Sequence, residues 1–238
     1  MFSSAMAGEK PALYAPWAVY YSDEAPPDAL VPYKLLVLDS SHHPPLAPLT
    51  DRGVLVLGYL SLGEVEASRP YHDRVAADGY LVGENKNWQG AKYVDVRDPR
   101  WTALVVEELI PAILRQGFQG LFLDTLDSPP YLERDVDRKR FHGMTEAAAR
   151  LVRTIRYHYP RIPIMMNRAF ELLPDVGDRI DMLLAESLRS DYDFDTKHYR
   201  MTEEKGYRYN LSLIDSARQR HPGMIIFSLD YWEPADTD

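Results

Sequence analysis

The chain contains short continuous runs of hydrophobic residues, each followed by polar residues and usually by a stretch with helical periodicity. Continuous rather than alternating hydrophobic residues are typical of strands buried on both faces, as in parallel sheets. Eight such runs occur, at residues 17–21, 35–38, 54–60, 93–96, 120–123, 162–166, 182–185 and 224–229. The pattern therefore predicts eight parallel strands.

Helical patterns lie between several of these strands. Asp98 and Pro99 provide an N-cap and a first helical residue, and Gly117 is a suitable helix end. Pro111 lies inside this helical pattern and is expected to kink or divide it. Two further helices are predicted at residues 144–159 and 203–220. Alternating strands and helices predict an α/β fold, either a (β/α)8 TIM-type barrel or an open doubly wound sheet.

The number of strands favours the barrel. The run at residues 93–96 is short, however, and is also compatible with a loop. If it is not a barrel strand, the barrel is incomplete at its carboxyl end, and closure requires residues beyond Asp238. We expect a single barrel domain over residues 13–238. Residues 1–12 are interpreted as a processed or engineered tail, since their start is too short for a signal peptide and lacks its apolar core.

Composition excludes several classes of function. The 238 residues carry a net charge of −9, which argues against nucleic acid and favours a cationic or neutral ligand. No hydrophobic run reaches the ~18 residues that span a bilayer, so no membrane insertion is expected. The chain has no cysteine, which excludes disulfides, thiolate metal sites and cysteine nucleophiles.

Polar and aromatic residues accumulate at or just past the ends of the predicted strands. They are Asp39, Tyr59, Glu64, Asp124, Asp127, Asn167, Arg168, Glu186, Asp230, Tyr231 and Trp232. In a parallel barrel the carboxyl ends of all strands meet on one rim, so these side chains are expected to converge. Any one of them is also compatible with a turn, a helix cap or a surface ion pair. Their recurrence at the same relative place favours a functional site.

Two acids of this set, Asp124 and Glu186, each follow a very apolar strand. Glycoside hydrolysis uses a pair of carboxyl groups on either side of the scissile bond, and apolar surroundings can tune such a pair. Binding of a hard cation is the rival use of clustered acids.

Motifs for other chemistries are absent. No His-Glu-x-x-His spacing occurs, and the acidic run at residues 191–195 lacks the glycine and glutamate of an EF-hand, since Thr196 and Thr202 stand there. No Gly-x-Ser-x-Gly, Walker or Gly-x-Gly-x-x-Gly sequence is present. We therefore predict no metal and no cofactor.

Six motifs, in this order along the chain, resemble glycoside hydrolases of the α-1,4-galactosaminidase type. They are Trp17-Ala-Val-Tyr-Tyr21, Gly58-Tyr-Leu-Ser-Leu-Gly-Glu-Val65, Gly120-Leu-Phe-Leu-Asp-Thr-Leu-Asp127, Met166-Asn-Arg168, Ala185-Glu-Ser187 and Leu229-Asp-Tyr-Trp232. The likeness is strongest to the hydrolase domain of the bacterial Pel-polysaccharide-modifying enzyme, a relative of the fungal endo-polygalactosaminidases. It covers nearly the whole chain from about Trp17.

The resemblance implies an endo-acting enzyme on a (β/α) barrel, periplasmic or secreted, that cleaves partially deacetylated N-acetylgalactosamine exopolysaccharide of a biofilm. Its catalytic acids correspond here to Asp124 and Glu186. We assign Asp124 as nucleophile and Glu186 as acid/base by the retaining route, with exchange of these roles as the alternative. Tyr59, Trp88, Tyr231 and Trp232 are expected to line a groove for the cationic polymer.

Two alternatives remain at this stage. One is a barrel that binds polysaccharide without cutting it, and the other is a metal-dependent deacetylase or hydrolase that uses the same acids. Relatives of this type normally continue past the Asp-Tyr-Trp motif, and in the Pel enzyme a deacetylase domain follows. We therefore expect that the chain is part of a longer protein with such a C-terminal domain.

Overall fold

The computed structural model describes residues 14–194 and 196–233, so the predicted tail at residues 1–12 lies outside the described part. In chain order the strands are β1 (Trp17–Tyr20), β2 (Leu35–Leu38), β3 (Leu55–Ser61), β4 (Glu64–Glu66), β5 (Leu81–Glu84), β6 (Ala91–Val94), β7 (Gly120–Asp124), β8 (Ile164–Asn167), β9 (Met182–Glu186), β10 (Ser190–Asp193), β11 (His198–Met201) and β12 (Ile225–Leu229).

Nine α-helical segments are described between these strands. They are α1 (Pro27–Leu30), α2 (Ala47–Thr50), α3 (His72–Asp78), α4 (Pro99–Leu104), α5 (Ile110–Arg115), α6 (Ser128–Tyr131), α7 (Met144–His158), α8 (Leu173–Val176) and α9 (Glu204–Arg220). A π-helical turn (Val105–Leu109) joins α4 to α5, a second (Leu132–Val136) follows α6, and a 3₁₀ turn (Phe170–Leu172) precedes α8. None of the described helices is long and apolar enough to span a membrane.

Seven strands form one parallel sheet in the order β1-β2-β3-β7-β8-β9-β12. The sheet is curled into part of a barrel with helices on its outer face, which confirms the prediction of an incomplete (β/α)8 barrel. The ring of Trp17 on β1 contacts Phe227 on β12 edge-on, with centroids 5.1 Å apart. The first and last strands thus meet through side chains, although these described strands do not pair with each other.

The run at residues 93–96 is not a barrel strand, and the prediction of an eighth parallel strand there was wrong. The first half of this run, Tyr93 and Val94, belongs to β6, which pairs antiparallel with β4 and β5 in a separate three-stranded sheet. Its central residues, Lys92 and Tyr93, are only partly buried, as expected for a small sheet on the surface. A short apolar run therefore identified a strand here but not its partners.

The first predicted helix confirms the roles assigned to its terminal residues. The carboxylate of Asp98 accepts a hydrogen bond from the Arg100 amide at 2.9 Å, and Pro99 is the first helical residue. Pro111 lies just after the π-helical turn that divides the helix, consistent with its missing N–H donor. Gly117 adopts φ 107°, a conformation that favours glycine. The other two predicted helices match α7 and α9 closely.

Two apolar layers hold the sheet. The barrel interior contains one layer, with Leu57, Phe122 and Leu184 at its centre, and the other lies between the sheet and the helices. Trp101 on α4 is fully buried in the outer layer, and its indole N–H donates to the Leu62 carbonyl at 3.0 Å. This bond fixes the segment that leaves β3, from which several rim residues project.

Candidate active site

Three neighbouring strands each end in a polar residue at the same rim. Asp124 is the last residue of β7, Asn167 of β8 and Glu186 of β9. The strands are parallel and adjacent, so these three side chains lie side by side. The sequence-predicted pair, Asp124 and Glu186, is therefore brought together with Asn167 between them.

The backbone turns sharply after each of these residues. Thr125, Arg168 and Ser187 follow Asp124, Asn167 and Glu186, and they adopt φ values of 60°, 49° and 50°. A positive φ is uncommon for residues other than glycine and costs about 1–3 kcal/mol where it is strained. Three such turns at consecutive strand ends indicate a rim whose side-chain directions are fixed at some cost in stability.

The side-chain amide of Asn167 bridges the two carboxylates. Its Nδ2 donates to Asp124 Oδ1 at 2.9 Å and to Glu186 Oε2 at 2.5 Å. Because both oxygens bond to one nitrogen, they lie no farther apart than about 5.4 Å, the two distances laid end to end. Asn167 is 4% exposed, and its Oδ1 has no partner among the described residues.

A tyrosine hydroxyl completes the contacts of each carboxylate. Tyr59 Oη donates to Asp124 Oδ2 at 2.8 Å, and Tyr231 Oη donates to Glu186 Oε1 at 2.7 Å. Each acid thus accepts one hydrogen bond from a tyrosine hydroxyl and one from the side-chain amide of Asn167. Both predicted tyrosines therefore lie within hydrogen-bond distance of the two acids.

Burial raises the pKa of Asp124 to about 6, although hydrogen bonds from Asn167 and Tyr59 oppose the rise and the charge of Asp127 adds to it. Burial and the carboxylate of Asp124 together raise the pKa of Tyr59 well above its ordinary value. Tyr59 is therefore a hydrogen-bond donor at neutral pH, and Asp124 is the group of this pair that titrates.

Asp39 lies at the rim, but its carboxylate is already paired with another side chain. Its carboxylate forms a two-pronged ion pair with Arg69, at 3.2 and 2.8 Å, and accepts two backbone amides at Ser41 and His42. Burial acts to raise the pKa of Asp39, but these bonds outweigh it, and the pKa lies below its ordinary value. The Arg69 guanidinium lies 5.3 Å from the centre of the Tyr59 ring. The structure thus connects Asp39 to the site through Arg69 and Tyr59.

Glu64 is 6% exposed and borders a cleft whose lining does not include Asp124 or Glu186. Asn85 Nδ2 donates to both of its oxygens at 3.1 Å, and the Ser128 hydroxyl donates to Oε1 at 2.6 Å. Burial raises the pKa of Glu64 despite these bonds. The cleft has a volume of about 470 Å³, and Asp127, Tyr131 and Arg168 are among its lining residues.

Arg168 connects this cleft to the pair. Its Nη1 donates to the Glu186 carbonyl at 2.9 Å, and its Nε donates to Asp127 Oδ2 at 3.2 Å. The two predicted residues Asp127 and Arg168 therefore form an ion pair that holds the backbone at the end of β9.

Asp230 supports the rim from the side. Its Oδ1 accepts the backbone amides of Arg189 and Ser190 at 2.7 and 3.0 Å, and its Oδ2 accepts the Ser228 hydroxyl at 3.1 Å. Both oxygens already accept hydrogen bonds from nearby residues of the protein. The structure therefore favours a positioning role for Asp230 over contact with a ligand. Trp232 follows it and is 39% exposed.

Sequence reasoning did not single out several residues that hold the site. Thr125 Oγ1 accepts the Gly63 amide at 2.8 Å and bonds the Ser61 hydroxyl at 2.8 Å, which clamps the end of β3 to the end of β7. A Cβ at Gly63 would lie 2.1 Å from the Thr125 carbonyl oxygen, so only glycine fits. Thr125 directly follows the strand-end acid Asp124, and this position was the sequence signal that could have identified it.

Tyr21 and Arg69 were also missed. The Tyr21 ring contacts Tyr59 edge-on at 5.2 Å, and burial together with the charges of Asp124 and Glu186 raises its pKa. Tyr21 directly follows the first strand, as the other rim residues follow theirs, and this signal could have identified it. Arg69 lies in a loop, and no local pattern connects it to Asp39.

A hard-cation site is not formed by the residues described. No group of three or more His, Asp or Glu side chains in residues 14–194 and 196–233 is arranged to hold a metal ion. The acids of the rim are instead paired with amide, phenol and guanidinium donors.

A curled parallel (β/α) barrel with two hydrogen-bonded carboxyl groups at neighbouring strand ends is the arrangement of a barrel-type glycosidase. Comparison with known families agrees. The sequence profile of glycoside-hydrolase family GH114 matches residues 3–237, and the chain belongs to this family.

Solved structures show the same fold. The glycoside hydrolase domain of PelA from Pseudomonas aeruginosa is 27% identical, with a TM-score of 0.79 over 92% of this chain and 85% of that one. Ega3 from Aspergillus fumigatus, solved in complex with galactosamine, shares the fold at 18% identity and a TM-score of 0.68, over 92% of this chain and 78% of that one.

The curated relatives of this chain have names that state no activity. An uncharacterized protein of Deinococcus radiodurans is 29% identical over 129 residues, which is 53% of this chain and 41% of that protein. The matches to three such relatives span between 37% and 57% of the length of those proteins.

The raised pKa of Asp124 predicts a pH-dependent cost in stability. An unfolded aspartate titrates near 3.8 and the folded one near 6, so between these values the folded state binds more protons than the unfolded state. This group's contribution to stability therefore falls as pH rises from about 4 to about 6. Asp124→Asn should raise the melting temperature at pH 7 and have little effect at pH 4. A difference from the native protein that stays constant over this range would contradict the assignment.

Proposed function

We propose that the protein is an endo-acting glycoside hydrolase that cleaves α-1,4-linked, partially deacetylated N-acetylgalactosamine polymer. The observation that carries the proposal is the Asn167 amide, which holds the carboxylates of Asp124 and Glu186 side by side at the rim. Membership of family GH114 supports the glycosidase class. Similarity to the PelA glycoside hydrolase domain at 27% identity supports the same class. The resemblance of the six sequence motifs to hydrolases of the α-1,4-galactosaminidase type supports the choice of polymer.

The short separation of the carboxyl groups supports a retaining reaction. Retaining glycosidases place their two carboxyl groups ~5–5.5 Å apart, whereas inverting enzymes need ~6.5–9.5 Å to admit a water between the general base and the sugar. The bridged oxygens of Asp124 and Glu186 lie within about 5.4 Å of each other. That upper limit leaves little room for the attacking water of an inverting enzyme.

In the proposed first step, the Asp124 carboxylate attacks the anomeric carbon while the bond from that carbon to the bridging oxygen breaks. Glu186 transfers its proton to the departing oxygen. In the second step Glu186 takes a proton from water, whose oxygen attacks the same carbon and releases Asp124. Two hydrogen bonds, from Tyr59 and Asn167, orient the Asp124 carboxylate and favour its ionised form.

Charge supports a cationic substrate. The chain has a net charge of −9, and Asp127 and the buried Glu64 border the cleft that Arg168 connects to the catalytic pair. Ammonium groups of a partially deacetylated amino-sugar polymer would be attracted to such a rim. A periplasmic or secreted location, and a deacetylase domain in a longer protein, are part of this proposal because they suit an exopolysaccharide substrate.

Defined oligomers of α-1,4-linked galactosamine, with and without N-acetyl groups, test the proposal directly. We expect the native protein to release internal fragments and Glu186→Gln to be slower by about 10²–10⁴-fold, because the leaving oxygen loses its proton donor. Mass spectra of the products report both linkage and acetylation preference. Addition of a chelator should leave the rate unchanged. Binding of oligomers by the native protein with no new reducing ends would contradict the proposal.

The pH dependence of kcat/KM tests the role of Asp124 separately. A nucleophile must be ionised, so activity should fall as pH drops through about 6. Tyr59→Phe removes a hydrogen bond that stabilises the ionised carboxylate, and the acidic limb of the profile should move to higher pH. Tyr157→Phe is the matched control, since this tyrosine is 82% exposed. The acidic limb of the profile of this variant should not move. An unshifted limb in Tyr59→Phe would exclude this coupling.

A further inference from the structure

A hairpin of β10 and β11 projects from the rim directly after Glu186 and carries an aromatic face. The strands pair antiparallel, with Tyr192 opposite Tyr199 and Ser190 opposite Met201. Alternate residues of a strand share a face, so these four side chains lie on one side of the hairpin. The Tyr192 ring contacts both Tyr199 and Phe194, with centroids 5.1 and 5.2 Å apart.

This aromatic face is continuous with the candidate active site. The Ser190 hydroxyl donates to the Tyr231 carbonyl at 2.7 Å, and Tyr231 Oη donates to Glu186. Asp230 holds the start of the hairpin through the Arg189 and Ser190 amides. Through these bonds the hairpin is fixed on the Glu186 side of the catalytic pair rather than on the Asp124 side.

Much of the apolar surface at this place is exposed. Phe194 is 46% exposed, Met201 50% and Tyr231 41%. Contiguous exposed apolar side chains on a soluble domain mark binding surfaces, and flat aromatic rings offer a sugar both an apolar face and polar edges. The opposite face carries Asp191, Asp193 and Arg200, and the last two form an ion pair at 3.0 Å.

We propose that the aromatic face of the β10–β11 hairpin binds the part of the amino-sugar polymer that leaves with the bridging oxygen. This inference rests on the proposed function, in which Glu186 gives its proton to that oxygen. The sugar bonded to the oxygen must lie next to Glu186, and the following sugars extend towards Tyr199 and Phe194. A polymer cut internally needs such a surface on the leaving side as well as one on the other side.

Two substrates separate this role from a general loss of activity. A long galactosamine polymer occupies both sides of the cut, whereas the nitrophenyl glycoside of a galactosamine oligomer carries no sugar on the leaving side. Phe194→Ala should lower kcat/KM for the polymer about 3- to 10-fold, the size of one lost aromatic contact. The same variant should cleave the nitrophenyl glycoside at the native rate. Tyr199→Ala should behave alike, and Tyr157→Ala, on the exposed surface of α7, is the control.

Equal losses on the two substrates, or native rates on both, would overturn the inference. A melting temperature for each variant separates a binding defect from unfolding, and Phe194 is exposed enough that its removal should leave the fold intact. Failure of the proposed function has a different signature. In that case the native protein itself cleaves neither substrate.

Discussion

The hydrogen bonds from one buried amide nitrogen to two carboxylates determine how this rim is built. Two acids at neighbouring positions repel each other when both are ionised, and each is costly to bury. The Asn167 side chain offers two N–H groups on one atom and no net charge, so it can satisfy both acids at once. An aspartate there would add a third negative charge, and an apolar residue would leave both carboxylates without this donor.

The rest of the rim keeps this geometry in place. Thr125 joins the ends of β3 and β7, and Arg168 holds the backbone of Glu186. Tyr59 is itself positioned by Arg69, which the carboxylate of Asp39 fixes from two directions. Each catalytic candidate is thus fixed by a side chain from another strand, and that side chain is fixed in turn. Such layered support is what a site held on rigid elements requires.

Sequence patterns were sufficient for the parts of the fold that depend on local burial. Seven strands of the barrel follow from continuous apolar runs, because both faces of a parallel sheet are covered. The prediction for residues 93–96 failed because three apolar residues do not specify which strand they pair with. Its partners, β4 and β5, lie in a surface sheet that no periodicity indicates.

In the site, too, local sequence predicts which residues lie at the rim but not which distant residues they contact. Asp124 and Asp230 look alike in sequence, since each directly follows an apolar run, but their hydrogen-bond partners differ. Tyr59 and Asn167 donate to the first, while the backbone amides of Arg189 and Ser190, at the start of the β10–β11 hairpin, donate to the second. The role of Arg69 depends on Asp39, which lies 30 positions earlier, and only the folded chain brings the two together.

The stereochemistry of the first product tests the central claim most directly. Proton NMR at early times, before the new reducing end equilibrates, distinguishes the two anomers released from an α-linked galactosamine oligomer. A pair of carboxyl groups as close as Asp124 and Glu186 predicts the α anomer, formed through a covalent intermediate on Asp124. Initial release of the β anomer would contradict the account, because it requires a water between the sugar and a general base that this geometry does not accommodate.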